Sequence, residues 1–484
     1  MRKAAVLALL VCVSACTRLT PEQQVVTDAA NALGGRDRVL AAKTLVLEGG
    51  GTQYNPGQDL TPGASGETFT VTDYRRALDL AGGRSRVTLT RTPDFAYFQG
   101  RAPQQQSQGL DGALGYNIGA NGAATRIADG AAADRRAEWA QHPLVAVRTA
   151  LDPMAQLSNA RTEQGQSLVD VSLGGVGFTL AIDAATRLPA HVSTLIDDTN
   201  LGDVTLRTAF ADYQNVGDLK LPATLTTSVD GFTTARINIA KQSLGADTGD
   251  LAAPAAAATA AAVAPPAPVV TATPLARGIT WLAGGSHHSV LVEFKDHLML
   301  IEAPQNEARA AAVIAKAREL VPGKPLTQLV NTHHHFDHSG GVRAAIAAGM
   351  TVITHQGNVA FLQDVARRAH SLRPDALAKS GQAANIEGVA DDRVISDETM
   401  AVSLLPISSE HSQTMLIAWF PRERLLVEAD LYTPAAPIQM FAASFLQELQ
   451  KRKLNVQRIV PLHGAVAPYS QLLKDVAAQS AKAP

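Results

Sequence analysis

The sequence predicts an α+β chain of two unlike domains, a mostly antiparallel β domain with one flanking helix and then a layered domain of alternating strands and helices. Three observations carry this. The apolar pattern has period two along much of residues 20–245. From 275 to 484 it changes to short apolar strands alternating with helical spacing, and a break in composition lies between. Of the 24 residues from Leu251 to Pro274, twelve are Ala and five are Pro. Prolines at 254, 265, 266 and 268 forbid one continuous helix, and nothing there can build a core, so 246–274 is expected to be a semi-extended linker.

Composition narrows the class. A length of 484 residues suggests two to four domains, and 46% hydrophobic with 18% charged residues describes a globular rather than a disordered chain. Forty-two Lys+Arg against 44 Asp+Glu leave a net charge of −2 with no basic block, which argues against nucleic acid as a partner. The two cysteines, Cys12 and Cys16, both lie at the N-terminus, so a disulfide framework and a Cys-ligated metal site are excluded. Any metal must be held by His and carboxylates.

Residues 1–16 are expected to be an export signal. Arg2 and Lys3 precede an apolar run from Ala4 to Val13 that is too short to span a bilayer. The following Val13-Ser14-Ala15-Cys16 resembles the bacterial lipobox, which implies lipidation of Cys16 and a lipid anchor to the membrane. Thr17, where retention would favour Asp, implies the outer membrane, with the protein facing the periplasm. An ordinary signal peptide cleaved nearby is the alternative.

Within 20–245, Thr20-Pro21-Glu22-Gln23 supplies a capping box with Pro at the first helical position. Val25, Val26, Ala29, Ala30 and Leu33 form its apolar face, and Gly34-Gly35 ends it. Hairpins are expected around Gly82-Gly83 and around Gly174-Gly175, each flanked by alternating apolar residues; Val204, Leu206 and Phe210 alternate likewise, as do Ile237 and Ile239. Segments such as Ala181-Ile182-Asp183…Leu188-Pro189 and Lys220-Leu221-Pro222 resemble the half-barrel sheets of periplasmic lipoprotein carriers, and a plain sandwich or open barrel is the other reading. His142 and His191 are expected to be core or solvent histidines.

Eleven of the thirteen histidines follow Thr280. Strands are expected at Leu291–Phe294, Leu298–Ile301 and Leu326–Val330, with a helix over Asn306–Leu320. The third strand feeds Asn331-Thr332-His333-His334-His335-Phe336-Asp337-His338-Ser339-Gly340-Gly341, after which come the helix Val342–Ala348 and the strand Thr351–Thr354. In extended chain, residues i and i+2 point the same way, so His333 and His335 can converge on one ion. Asp337 and His338, at the turn into the helix, face a second. One loop cannot complete two coordination shells. Later loops offer His411 before strand Met415–Phe420, Asp430 after Leu425–Val427, and His463 after Ile459–Pro461.

With these residues in view, the C-terminal part, roughly 275–475, resembles the metallo-β-lactamase superfamily of hydrolases. His333-x-His335-x-Asp337-His338 matches its signature. Glu410-His411-Ser412, Glu428-Ala429-Asp430 (Ala where Gly is commoner) and Pro461-Leu462-His463-Gly464 match its later elements. The resemblance implies an αββα sandwich holding two Zn²⁺, with iron or manganese as alternatives. His333, His335 and His411 would hold one ion, Asp337, His338 and His463 the other, and Asp430 would bridge. It further implies hydrolysis of a small-molecule substrate by metal-bound hydroxide, oriented by Asp337 as a catalytic residue. Within that family a bridging Asp430 points to the esterase, thioesterase, lactonase and phosphodiesterase branches rather than to β-lactamases, and the carrier-like N-terminal domain turns the expectation to an ester-type bond, in a carboxylic ester, thioester or lactone. A β-lactam or phosphodiester is the alternative within the same fold. Outside enzymes, the alternative is a ligand-binding envelope lipoprotein with a vestigial metal domain.

Around the site, Glu302 stands where the family often carries an Asp that orients a ligand. His334, between two ligands, is expected to point away into packing or solvent. Structural or polar-surface roles are expected for His287 and His288, although their Gly-Gly-Ser-His-His loop can reach the mouth of the site. Nothing singles out His297 or His370, while His355, after a strand, could line the cleft.

Overall fold

The computed structural model describes residues 18–64, 66–95, 102–434 and 438–481. The expected signal segment and Cys16 lie outside the described residues. Among the described residues, no helix is long and apolar enough to cross a membrane.

The first part of the chain is one 13-stranded antiparallel sheet made of two meanders. One runs backward from Thr44–Tyr54 through Thr68–Asp79 and Arg84–Pro93 to the edge strand Ala124–Arg126. The other runs from Gln156–Glu163 up to Phe232–Leu244. The two join where Thr44–Tyr54 pairs with Phe232–Leu244, Leu45 opposite Leu244. The glycine hairpin at 174–175 forms as the sequence predicts. Gly174 and Gly175 have φ of 60° and 80°, the paired left-handed conformation of a two-residue turn that matches strand twist, and Leu173 faces Val176 across it.

The opening helix Pro21–Leu33 carries the expected capping box and buries Val26, Ala29, Ala30 and Leu33 against the sheet. His142 caps the helix Pro143–Ala150 from inside the core, its Nδ1 accepting from the Leu144 amide. Between the sheet and the helix Asp129–Trp139 lies a cavity of about 510 Å³, lined by Leu89, Leu206, Leu225 and Ile237 together with Arg76 and Glu138.

The segment expected to be a semi-extended linker is tied to the neighbouring sheets at both ends. Leu251 is 4% exposed and packs on Val46 and Ala77, and its carbonyl accepts from the buried Tyr116 hydroxyl. The far end, Thr271–Ala276, is the first strand of the next sheet, paired with Ile279–Ala283. Edge pairing needs only backbone, which is why an Ala/Pro/Thr composition conceals it.

The second part has four layers. A 7-stranded sheet, from Thr271–Ala276 through to Asn385–Val389, faces a 6-stranded sheet from Arg393–Ser396 to Ala467–Pro468. Between them lie Val290, Val292, Ile301 and Ile353 from the first sheet and Leu404, Leu416, Phe420 and Val427 from the second. Helices Glu307–Leu320 and Val342–Ala347 cover one outer face, and Ala442–Lys451 and Tyr469–Ser480 the other. This is the αββα arrangement, and its strands Leu298–Ile301, Leu326–Val330 and Thr351–His355 run parallel, so their carboxyl ends share one rim.

Candidate metal centre

Strand register brings the expected residues to that rim. Val330 pairs with Ile353 inside the first sheet, and the chain leaves it as an extended run from Asn331 into the short helix Phe336–Ser339. In the second sheet Glu428 pairs in parallel with Pro461, so Asp430 and His463 leave the same edge two residues later. The Leu416 amide donates to the Thr332 carbonyl, which ties the segment after His411 to the histidine loop.

Asp430 occupies the middle. Its Oδ2 lies 3.3 Å from Nε2 of His333, 2.9 Å from Nε2 of His338 and 3.0 Å from Nε2 of His411, while its Oδ1 lies 2.9 Å from Nε2 of His463. Its φ of 64° is unusual for a non-glycine residue and holds the carboxylate inward, a strain that surrounding contacts must sustain. The donor atoms fall into two groups. One is His333, His335, His411 and Asp430; the other is His287, Asp337, His338 and His463.

Electrostatics suit cation binding. Burial first, and then the neighbouring imidazoles, hold His333 and His335 well below the ordinary histidine range, so both are neutral and offer lone pairs. Burial pushes Asp430 up, but the charges of His338, His463 and His411 outweigh it and keep it an anion. Asp337 is lowered in the same way, against its own burial, by His338 and by the His287 hydrogen bond. His338 runs the other way. Despite burial, Asp430, Asp337 and Glu302 hold a proton on it, taking the place a divalent cation would fill.

His335 supplies the sharpest test of fit. Its Nε2 lies 2.9 Å from the Asp59 carbonyl, while its Nδ1 is buried with no hydrogen-bond partner. A buried imidazole nitrogen left without a partner is costly, and a metal ion is the partner this donor set fits.

Residues 282–431 match the family model of the metallo-beta-lactamase superfamily. The C-terminal domain is a metallo-beta-lactamase superfamily domain. Among solved structures, a metallo-beta-lactamase from Pontibacter korlensis is 16% identical with a TM-score of 0.34, covering 44% of this chain and 100% of its own. A metallo-beta-lactamase from Pseudomonas aeruginosa, in a mono-zinc form, is 18% identical with a TM-score of 0.34, covering 45% and 99%. Neither likeness bears on the chemistry. No curated protein matches the chain.

In the metallo-beta-lactamase domain the secondary residues divide. Glu302, fully buried and at φ 73°, lies 3.0 Å from Nδ1 of His338 and accepts from the Thr332 hydroxyl. His334 is 2% exposed and packs near Phe361 and Thr414, away from the cluster. His355 caps a turn through the Gly357 amide, and His370 sits by Asp375; neither reaches the cluster.

His287 departs from the structural or surface role expected of it. It is 7% exposed, and its Nε2 stands 3.0 Å from Asp337 Oδ2. Arg309, itself buried, donates to the His287 carbonyl and fixes the loop, while His288 is tied to Leu462 through its amide. Nothing periodic marks a loop histidine of this kind; only the Gly284-Gly285-Ser286 approach before it signals that the chain can bend so far. Gln58 and Asp59, from the other domain, are the further contacts that sequence reasoning missed.

Proposed function

We propose that this protein is an exported, lipid-anchored, binuclear metal-dependent hydrolase acting on an ester-type bond in a carboxylic ester, thioester or lactone. The observation that carries the reading is Asp430 set among four imidazoles, with neutral histidines on one side and Asp337 on the other. His333, His335 and His411 would hold one cation. Asp337, His338 and His463 would hold the other, His287 adds a donor there, and Asp430 serves both.

Two such cations supply a water deprotonated near neutral pH and a positive field for charge developing on an acyl oxygen. The chain's own part is to hold the donors rigidly. Glu302 keeps His338 turned inward, Thr332 lies 3.1 Å from Nδ1 of His333, and Asp337 stands on the rim as an acceptor able to orient a proton of the attacking water. A donor set of nitrogen and oxygen without thiolate favours zinc, with iron or manganese as competitors.

The roughly 510 Å³ cavity of the β domain supports an ester with an apolar portion, since its mixed lining and size fall in the small-molecule range. Export and the anchor at Cys16 rest on the leader motif.

The test is metal analysis of purified protein together with a panel of p-nitrophenyl esters, thioesters, lactones, a bis-phosphodiester and a chromogenic β-lactam. About two metal ions per chain with chelator-sensitive ester turnover is the expected result. Turnover of the β-lactam or phosphodiester alone moves the substrate class, and a metal-free, inactive chain supports the ligand-binding alternative.

A further inference from the structure

We infer that the loop between strands Thr44–Tyr54 and Thr68–Asp79 of the β domain forms one wall of the metal centre, with Gln58 and the Asp59 carbonyl as positioning groups for Asp337 and His335. The inference rests on the metal-site reading above and adds a dependence of that site on the other domain.

The contacts are specific. The Asp59 carbonyl stands 2.9 Å from Nε2 of His335, a partner 276 residues away, and so leaves Nδ1 as the nitrogen offered to the cluster. The Gln58 amide donates to Asp337 Oδ1 at 2.8 Å. That leaves Oδ2 turned to His287, His338 and His463, at 3.0, 3.7 and 3.9 Å.

The loop is clamped to both ligand-bearing segments. The Phe336 amide donates to the Gly57 carbonyl at 3.1 Å, and the Gln413 amide to the Leu60 carbonyl at 2.7 Å. Gly57 is required on two grounds. Its φ is +80°, and a Cβ there would sit 2.4 Å from the Phe336 ring, which stands between the ligands His335 and Asp337.

An acceptor behind a metal-bound imidazole fixes its tautomer and ring orientation, and removing such outer partners typically costs about 10–100-fold in metal affinity. Here the outer partners come from a different domain, so docking of the β domain is part of building the site. A second contact between the domains lies apart from the loop, where Asp203 accepts from the Ser371 and Leu372 amides at 2.8 and 3.1 Å.

The experiment uses the full chain, with zinc affinity measured against a competing chelator and the visible spectrum recorded after cobalt substitution. Gln58→Met keeps the volume and loses the donor; it is expected to weaken one ion about 10–100-fold, shift the cobalt spectrum and leave the melting temperature near wild type. Gly57→Val, which lifts the loop off Phe336, is expected to weaken both ions. Asp203→Ala loosens the second contact and should bind both ions as the wild type does.

Wild-type affinity and spectra in both loop variants overturn the inference alone. Equal weakening by Asp203→Ala and Gln58→Met overturns it too, since general docking would then be responsible. A wild-type chain that binds no metal overturns the metal-site reading and this inference together. If Gly57→Val fails to fold, the Gln58→Met spectrum still decides.

Discussion

Oε2 of Glu302 and Nδ1 of His338 stand 3.0 Å apart, both side chains fully buried, on the edge of the ring away from Asp430. The pair makes His338 a relay between an outer carboxylate and the cluster, and it explains why Glu302 tolerates a left-handed φ of 73°.

Glu302→Gln tests this relay. The amide keeps the shape but replaces a carboxylate acceptor with a group that is half donor. Metal affinity of the set containing His338 should fall about 10–100-fold, with kcat following. Chelator competition measures the first and ester turnover the second; unchanged affinity would remove Glu302 from the site's support.

Removing the metal should abolish turnover and lower stability. Each ion bound only by the folded chain, present at 100 times its Kd, stabilises it by about 2.7 kcal/mol. Calorimetry should therefore show a lower melting temperature after chelation, restored by zinc. His333→Ala should recover only part of the loss when zinc is added, because the ligands left cannot hold the first ion in geometry while the set around His338 is intact.

Acid sensitivity of the β domain follows from its own histidines. Burial lowers His142 from 6.5 to about 3 and, together with the nearby Arg207, lowers His191 to about 4. Each binds its proton less readily folded than unfolded. Between pH 6.5 and those values the unfolded chain therefore holds more protons, and stability falls as pH falls. Each group contributes a slope of about 1.4 kcal/mol per pH unit there. His142→Asn keeps a capping acceptor and should lower the slope by about 1.4 kcal/mol per pH unit, measured by denaturant unfolding of the full chain between pH 4 and 6.

Tyr116→Phe probes the segment after the large sheet. The hydroxyl donates to the Leu251 carbonyl at 3.0 Å and accepts from Arg86 at 2.8 Å, in a fully buried position. Its loss should cost about 1–2 kcal/mol and raise hydrogen exchange at Leu251 to Ala258, whereas a freely solvated linker would show no change.

Much of the site is legible in sequence because its spacing is local. His333 to His338 lie on one turn of chain, where extended geometry and a helix start dictate direction over a few residues. His411, Asp430 and His463 are legible more weakly, as lone residues at strand ends. His287, Gln58 and Asp59 sit in loops without periodicity, and their placement depends on Arg309, Phe336 and the docking of a second sheet. The strand Thr271–Ala276 escaped notice for a related reason, since its pairing is by backbone.

Taken alone, the order of residues determined two architectures, the break between them and the cluster of imidazoles and carboxylates at one rim, because periodicity and short-range spacing act through local backbone geometry. Only the tertiary structure decided that the rim is completed by the other domain, through Gln58 and Asp59, and that His287 stands inside it. Those contacts join positions tens to hundreds of residues apart, and they exist only once packed surfaces have set the distance between them.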